Sequence, residues 1–215
     1  MINDIPMWKV YEWLNTKILH NLNHSLNVKV IHNVLLTGII SEEKRQVDIL
    51  IDINNSDYQV AIDCKKYNKK VDIKKVEGFI GMCEDLGVDK GIIISTKGFT
   101  KGAMKRVLNH FIIELVILDW RKAFNSVIPE LDHYSNLNDI CTSCTTKDSI
   151  IPGILLWDSP FGLEEKDGSV SVYFLGECLK CKTKSSFCDP CGIISMSTNT
   201  STYKCDCCER EFEIV

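Results

Sequence analysis

The chain has 215 residues, 45% of them apolar and 25% charged, with a formal net charge of −4. That balance excludes a disordered or fibrous protein, and the acidic total argues against one that coats nucleic acid by bulk charge. The longest apolar runs, such as Val47 to Ile53, are broken by aspartate far short of the roughly 20 residues a membrane helix needs. The amino end has no basic region followed by an apolar core and a cleavage site. The expectation is a cytoplasmic chain with no membrane span.

Met7 to Leu22 place Trp8, Tyr11, Leu14, Ile18 and Leu22 at three- and four-residue steps, the stripe of an amphipathic helix, with Glu12 beside it. Three strand-like runs follow: VKVIH from Val28, VDILIDI from Val47 and YQVAIDC from Tyr58. The last two flank Asn54, Asn55, Ser56 and Asp57, a hairpin signal. Asp72 is a helix N-cap before apolar Ile73, Val76, Ile80, Cys83 and Leu86, and Gly87 ends that helix. A buried strand, GIIIS, comes next. Thr100 caps a further helix to about His110, and IELVIL from Ile113 reads as a strand covered on both faces. The order α-β-β-β-α-β-α-β predicts an α/β fold, a mixed sheet with helices on both sides. From about Pro129 to Ile140 turn-forming residues replace the periodicity, which divides the chain into domains 1–130 and 131–215.

The eleven cysteines are unevenly spread. Cys64 and Cys83 lie in the first 140 residues, and the other nine fall between Cys141 and Cys208. Eight of these form CxxC pairs: Cys141 with Cys144, Cys178 with Cys181, Cys188 with Cys191, and Cys205 with Cys208. Two cysteines at that spacing form a tight knuckle that aims both thiolates at one tetrahedral ion, and a reducing compartment disfavours disulfides. Two structural zinc ions are therefore expected. Sequence neighbours give one site from Cys141, Cys144, Cys178 and Cys181, and another from Cys188, Cys191, Cys205 and Cys208. Spacing alone also permits a cross-braced arrangement, and a disulfide framework is the bland alternative. The segments ILLW and SVSVYF, with a DG turn signal at Asp167 and Gly168, make the second domain small and β-rich.

In the hairpin, a turn centred between Asn55 and Ser56 sets Asp48 opposite Asp63 and Gln46 opposite Lys65. Alternation collects these four on one face, and Val47, Ile49, Ile51, Val60, Ile62 and Cys64 on the other, so one face is dry and the other carries chemistry. Opposed carboxylates repel unless a cation or a proton lies between them. A hard ion such as Mg²⁺ meets that need. The bland alternative is an ordinary polar sheet surface.

A Glu on the first helix, an Asp starting one strand and an Asp-x-Lys ending the next resemble the PD-(D/E)xK nuclease superfamily. Within it the resemblance is to Mrr-like restriction endonucleases. It is carried by YEWL, TGIISEEKRQVDILI, AIDCKKY, KKVEGFIG and KGIIISTKGFTKGA, in order, over roughly Met7 to Leu118. Asp48 lacks a preceding proline, and Asp63 stands where many such proteins have Gln. The resemblance implies a restriction-endonuclease-like fold, DNA as substrate and hydrolysis of phosphodiesters in restriction or anti-phage defence. Junction resolution or repair on the same core, or a non-catalytic zinc-ribbon adaptor, are the alternatives. Asp48 and Asp63, with the Cys64 carbonyl, would hold Mg²⁺ or Mn²⁺. Lys65 would orient the attacking water, Glu12 would bind the ion through water or complete a second site, and Gln46 would hydrogen-bond the water or a ligand carboxylate.

Six of the eleven residues from Lys65 to Lys75 are lysine, a source of phosphate contacts directly after the catalytic strand. The Gly98–Gly102 segment opens a helix, which a phosphate or a simple cap would suit equally. The five histidines show no ligand spacing. Up to Glu130 there are 18 basic and 16 acidic residues, and beyond it 7 and 13. The acidic tail directs the zinc module toward local contacts or a protein partner, while double-strand cleavage would need a homodimer or sequential nicking.

Overall fold

The computed structural model describes residues 6–23, 27–53, 57–127, 139–145, 153–158, 161–164, 170–188, 191–196, 202–209 and 211–213. Its chain divides into two units, Met1–Pro129 and Glu130–Val215. The DG turn at Asp167 and Gly168 and most of the linker lie outside the described residues.

In the first unit, helix α1 (Met7–Leu22) is buried continuously from Val10 to Lys17. The expected stripe is corrected at both ends, where Trp8 and Leu22 are 51% and 76% exposed. The middle turns lie between the sheet and a fourth helix, so burial follows position along α1 rather than around it. Two of its buried polar side chains bond back to the helix, Asn15 Nδ2 donating to the Tyr11 carbonyl and Thr16 Oγ1 to the Glu12 carbonyl, which lowers their burial cost.

Strands β1 (Val28–Thr37), β2 (Lys44–Ile53) and β3 (Tyr58–Lys65) form an antiparallel meander, and β4 (Lys90–Ser95) and β5 (Ile113–Ile117) continue it in parallel, in the order β1-β2-β3-β4-β5. The β2–β3 register runs from Ile49↔Ile62 to Ile53↔Tyr58, as the hairpin turn predicts. β4 is buried as expected. β5 is instead an edge strand with Ile117 62% exposed, which corrects the expectation of cover on both faces.

Helix α2 (Ile73–Leu86) starts at Asp72, whose carboxylate accepts from Lys75 N, and ends at Gly87 with φ 68°, a backbone state that glycine adopts without penalty. Val76, Phe79, Ile80 and Cys83 pack it onto Ala61 and Ile93; each buried side chain of this size contributes about 1.5–3 kcal/mol. Helix α3 (Lys101–Val107) is capped by Thr100 and stops before His110, whose N–H closes a turn onto Val107. Helix α4 (Trp120–Val127) was not anticipated; the Asp119 carboxylate caps it by accepting from Lys122 N.

The second unit is β-rich. Strands β6 (Ile140–Cys141), β7 (Gly153–Trp157), β8 (Phe161–Glu164), β9 (Val170–Cys178), β10 (Lys184–Cys188) and β11 (Ile193–Met196) make an antiparallel sheet ordered β11-β10-β9-β7-β6, with β8 also on β9. A short helix, α5 (Thr142–Thr145), follows β6, and β12 (Thr202–Lys204) pairs with β13 (Glu211–Glu213). Gly176 lies under the Trp157 ring; a Cβ there would fall 2.5 Å from it. No helix among the described residues is long and apolar enough to cross a membrane.

Candidate active site and metal centres

The β2–β3 pairing ends at Ile49↔Ile62, and the next residues carry the acids. Asp48 Oδ2 accepts the Cys64 N–H at 2.8 Å, so a side chain takes over where the ladder stops. On the other side of β2, the residue opposite Asp48 is Asn33, held at φ 56° between the pairs His32↔Ile49 and Val34↔Val47. The sheet is thus opened on both sides of Asp48. Asp63 lies beside it, and Lys65 Nζ pairs with Asp63 Oδ1 at 2.5 Å. The expected division into a dry face and a chemical face is corrected, because Leu50 and Ala61, which alternate with these acids, are buried, and Val47 joins the Ala61 cluster under α2. The carboxylates occupy the end of an otherwise apolar face.

That setting raises the Asp48 pKa to about 7. Burial is the largest cause, the negative charge of Asp63 the second, and Glu12 adds to them, against the Cys64 N–H that favours the carboxylate. Burial works against the Lys65 ammonium too, but Asp63 outweighs it and lifts the amine above its ordinary range. Lys65 is therefore a fixed cation at neutral pH. It is suited to orienting water and neutralising phosphate, and not to accepting a proton.

Glu12 is 4% exposed and receives Lys9 Nζ at 2.8 Å, with His32 Nε2 3.6 Å from the same oxygen. Its charge reaches both Asp48 and Cys64, so it borders the acid pair. His32 is the neighbour that sequence reading missed; helix–sheet packing brings it to Glu12 across 20 positions, and only its inward place in the β1 alternation could have pointed to it. Gln46 is exposed and donates to Asn33 Oδ1 at 2.6 Å. Its hydrogen bond runs to β1, and no described contact brings it to Asp48, Asp63 or Lys65. Cys64 is buried, and burial holds its thiol protonated. Two close carboxylates, one with its pKa raised first by burial and then by the charge of the other, make a donor set that a hard divalent ion would fit.

Lys69, Lys70, Lys74 and Lys75 are exposed, while Lys65 and Lys66 are half-buried. The Gly98–Gly102 segment opens only the seven-residue α3, with Thr100 Oγ1 accepting from Ala103 N, so the cap accounts for it.

In the second unit Cys141, Cys144, Cys178 and Cys181 form one cluster and Cys188, Cys191, Cys205 and Cys208 another, the sulfurs of each lying within 4.8 Å of one another. Neighbouring knuckles are paired, not cross-braced, and all these thiols are free of disulfides. Burial pushes the Cys178 thiol up, and the N–H groups of Lys180 and Cys181, which donate to its Sγ at 3.4 and 3.5 Å, work against that by favouring thiolate. Gly153 makes room for the first cluster: a Cβ there would lie 2.6 Å from Cys178 Sγ and 2.7 Å from Cys144 Sγ. Both clusters fit tetrahedral zinc. Cys207 belongs to neither.

Residues 33–120 match the Mrr_cat family, described as a restriction endonuclease. By that match, this segment is similar to a restriction-endonuclease domain. It includes Asp48, Asp63 and Lys65 but not Glu12. The chain is also similar to two solved structures. One is a protein of unknown function, AF1548, at 15% identity and TM-score 0.43, covering 54% of this chain and 66% of that one. The other is a repair endonuclease from Pyrococcus abyssi, at 16% identity and TM-score 0.36, covering 55% and 49%. The chain spans less than two thirds of either structure. No curated protein matches it.

Proposed function

We propose that residues 1–130 form a divalent-metal-dependent DNA endonuclease of restriction or anti-phage defence type, and that 131–215 form a zinc module. The observation that carries the reading is the meeting of Asp48, Asp63 and Lys65 where the β2–β3 ladder ends. Asp48 and Asp63, with the Cys64 carbonyl, would hold Mg²⁺ or Mn²⁺, which supplies charge stabilisation and a more acidic water. Lys65 stays protonated and holds its charge beside the scissile phosphate, orienting the attacking water. Glu12 closes the inner side of the site and bears on it through charge, and Gln46 stands at its outer edge. The eight clustered free thiols support a reducing, cytoplasmic setting, and DNA is the partner of the lysine-rich first unit.

Cleavage of modified and unmodified duplexes in Mg²⁺ or Mn²⁺ tests the assignment. Asp63→Ala and Lys65→Ala should each lower the rate on the order of 100-fold or more, with folding checked by circular dichroism. Full cleavage retained in both variants would sink the assigned site.

A further inference from the structure

Strands β3, β4 and β5 run parallel, so their carboxyl ends open on one side, the side on which open α/β sheets bind ligands. The three segments that leave those ends line a single pocket of about 380 Å³. Lys66 and Tyr67 follow β3, Thr96 and Lys97 follow β4, and Trp120 and Arg121 follow β5. Thr96 N donates to the Lys65 carbonyl at 3.1 Å, and Thr96 Oγ1 to the Tyr67 carbonyl at 3.1 Å. The pocket wall is therefore fastened to the strand that carries Asp63 and Lys65.

Its chemistry is cationic and aromatic. Lys66 Nζ sits 5.3 Å from the centre of the Trp120 ring, and Lys97 and Arg121 are exposed. The pocket's one carboxylate, Asp119, is engaged in capping α4. Trp120 also packs against Tyr11, ring centres 6.4 Å apart. An aromatic face with three cations around it suits a nucleotide, whose base stacks and whose phosphate is anionic. The volume is that of a small-ligand pocket, sufficient for one nucleotide, and a base can offer its face to a protein ring only where it has left the duplex stack.

We propose that this pocket takes one unpaired nucleotide of the DNA strand beside the cut, with its base on Trp120 and its phosphate among Lys66, Lys97 and Arg121. The nuclease thereby favours DNA with an unpaired or splayed segment over a continuous duplex. The inference rests on the nuclease reading for the identity of the polymer.

Affinity is measured without added Mg²⁺ for a blunt duplex and for the same duplex carrying a short unpaired arm. The arm should tighten binding about tenfold. Trp120→Ala should abolish that gain and Trp120→Phe preserve most of it, with blunt-duplex affinity unchanged in both. Equal affinity of the wild type for the two DNAs, or a gain that survives Trp120→Ala, overturns the proposal, as does a free deoxynucleoside monophosphate that binds as tightly as the arm. Should Trp120→Ala not fold, photocrosslinking of the wild type to 5-iodouracil at the first unpaired position decides: adducts on Tyr67 or Trp120 are expected, and adducts confined elsewhere overturn it. Arm-dependent binding with no cleavage in Mg²⁺ or Mn²⁺ would leave the pocket standing and remove the nuclease reading.

Discussion

Asp48 is the residue on which the site turns, because its proton stands in for the cation the two carboxylates need. A carboxyl at about 7 in the folded chain and near 3.9 when unfolded binds more protons folded than unfolded between those values. Stability from this group is therefore fully present below about pH 4 and is lost as pH rises through 7. Asp48→Asn keeps an oxygen for the Cys64 N–H and removes the charge. Thermal melts should show the variant more stable than the wild type by on the order of 2 kcal/mol at pH 8 and little different at pH 4. Mg²⁺ should stabilise the wild type at pH 8 and leave the variant unmoved. A variant no more stable than the wild type at pH 8 would mean that neither burial nor Asp63 burdens the Asp48 carboxylate.

At the scale of elements, what the sequence made legible was local. The β2–β3 register is the one that a turn centred between Asn55 and Ser56, outside the described residues, implies, and Asp72, Gly87 and Thr100 marked helix ends through bonds spanning three or four positions. The acid pair followed from that register. What escaped depends on which element lies beside which. The all-round burial of α1, the exposure of Ile117 on an edge strand and the approach of His32 to Glu12 come from packing across long separations. The Trp120 pocket is assembled from three strand ends some 30 and 25 positions apart, which no period in the sequence reveals. Gly153 is another such case, since β7 can begin beside the first sulfur cluster only without a Cβ. Gly153→Ala should push β7 and the sulfurs apart and weaken one zinc site alone. Titration with a chromogenic chelator should then release one zinc per chain early and hold the second as in the wild type; unchanged release of both would show that the strand can shift at no cost to the cluster.

At the scale of the whole chain, the two units rest on different physics. The first has an apolar core under α2, built from Val76, Phe79, Ile93 and their neighbours. The second places its cysteines inside its cores, Cys141, Cys144 and Cys178 with Leu155 and Trp157, and Cys188 and Cys205 with Tyr173. If these cysteines hold zinc, the module would draw much of its folding free energy from the ion, of order 10 kcal/mol per site. Charge separates them as well: 18 basic against 16 acidic residues up to Glu130, and 7 against 13 beyond it. Eight thiolates around two zinc ions would carry the tail from −6 to −10, so phosphate attraction resides in the first unit. A zinc-selective chelator added to the full chain in Mg²⁺ buffer should release about two zinc ions per chain and erase one calorimetric transition. The other transition, and cleavage of naked DNA at low salt, should persist. Loss of both transitions together would mean that the nuclease core needs the zinc module in order to fold.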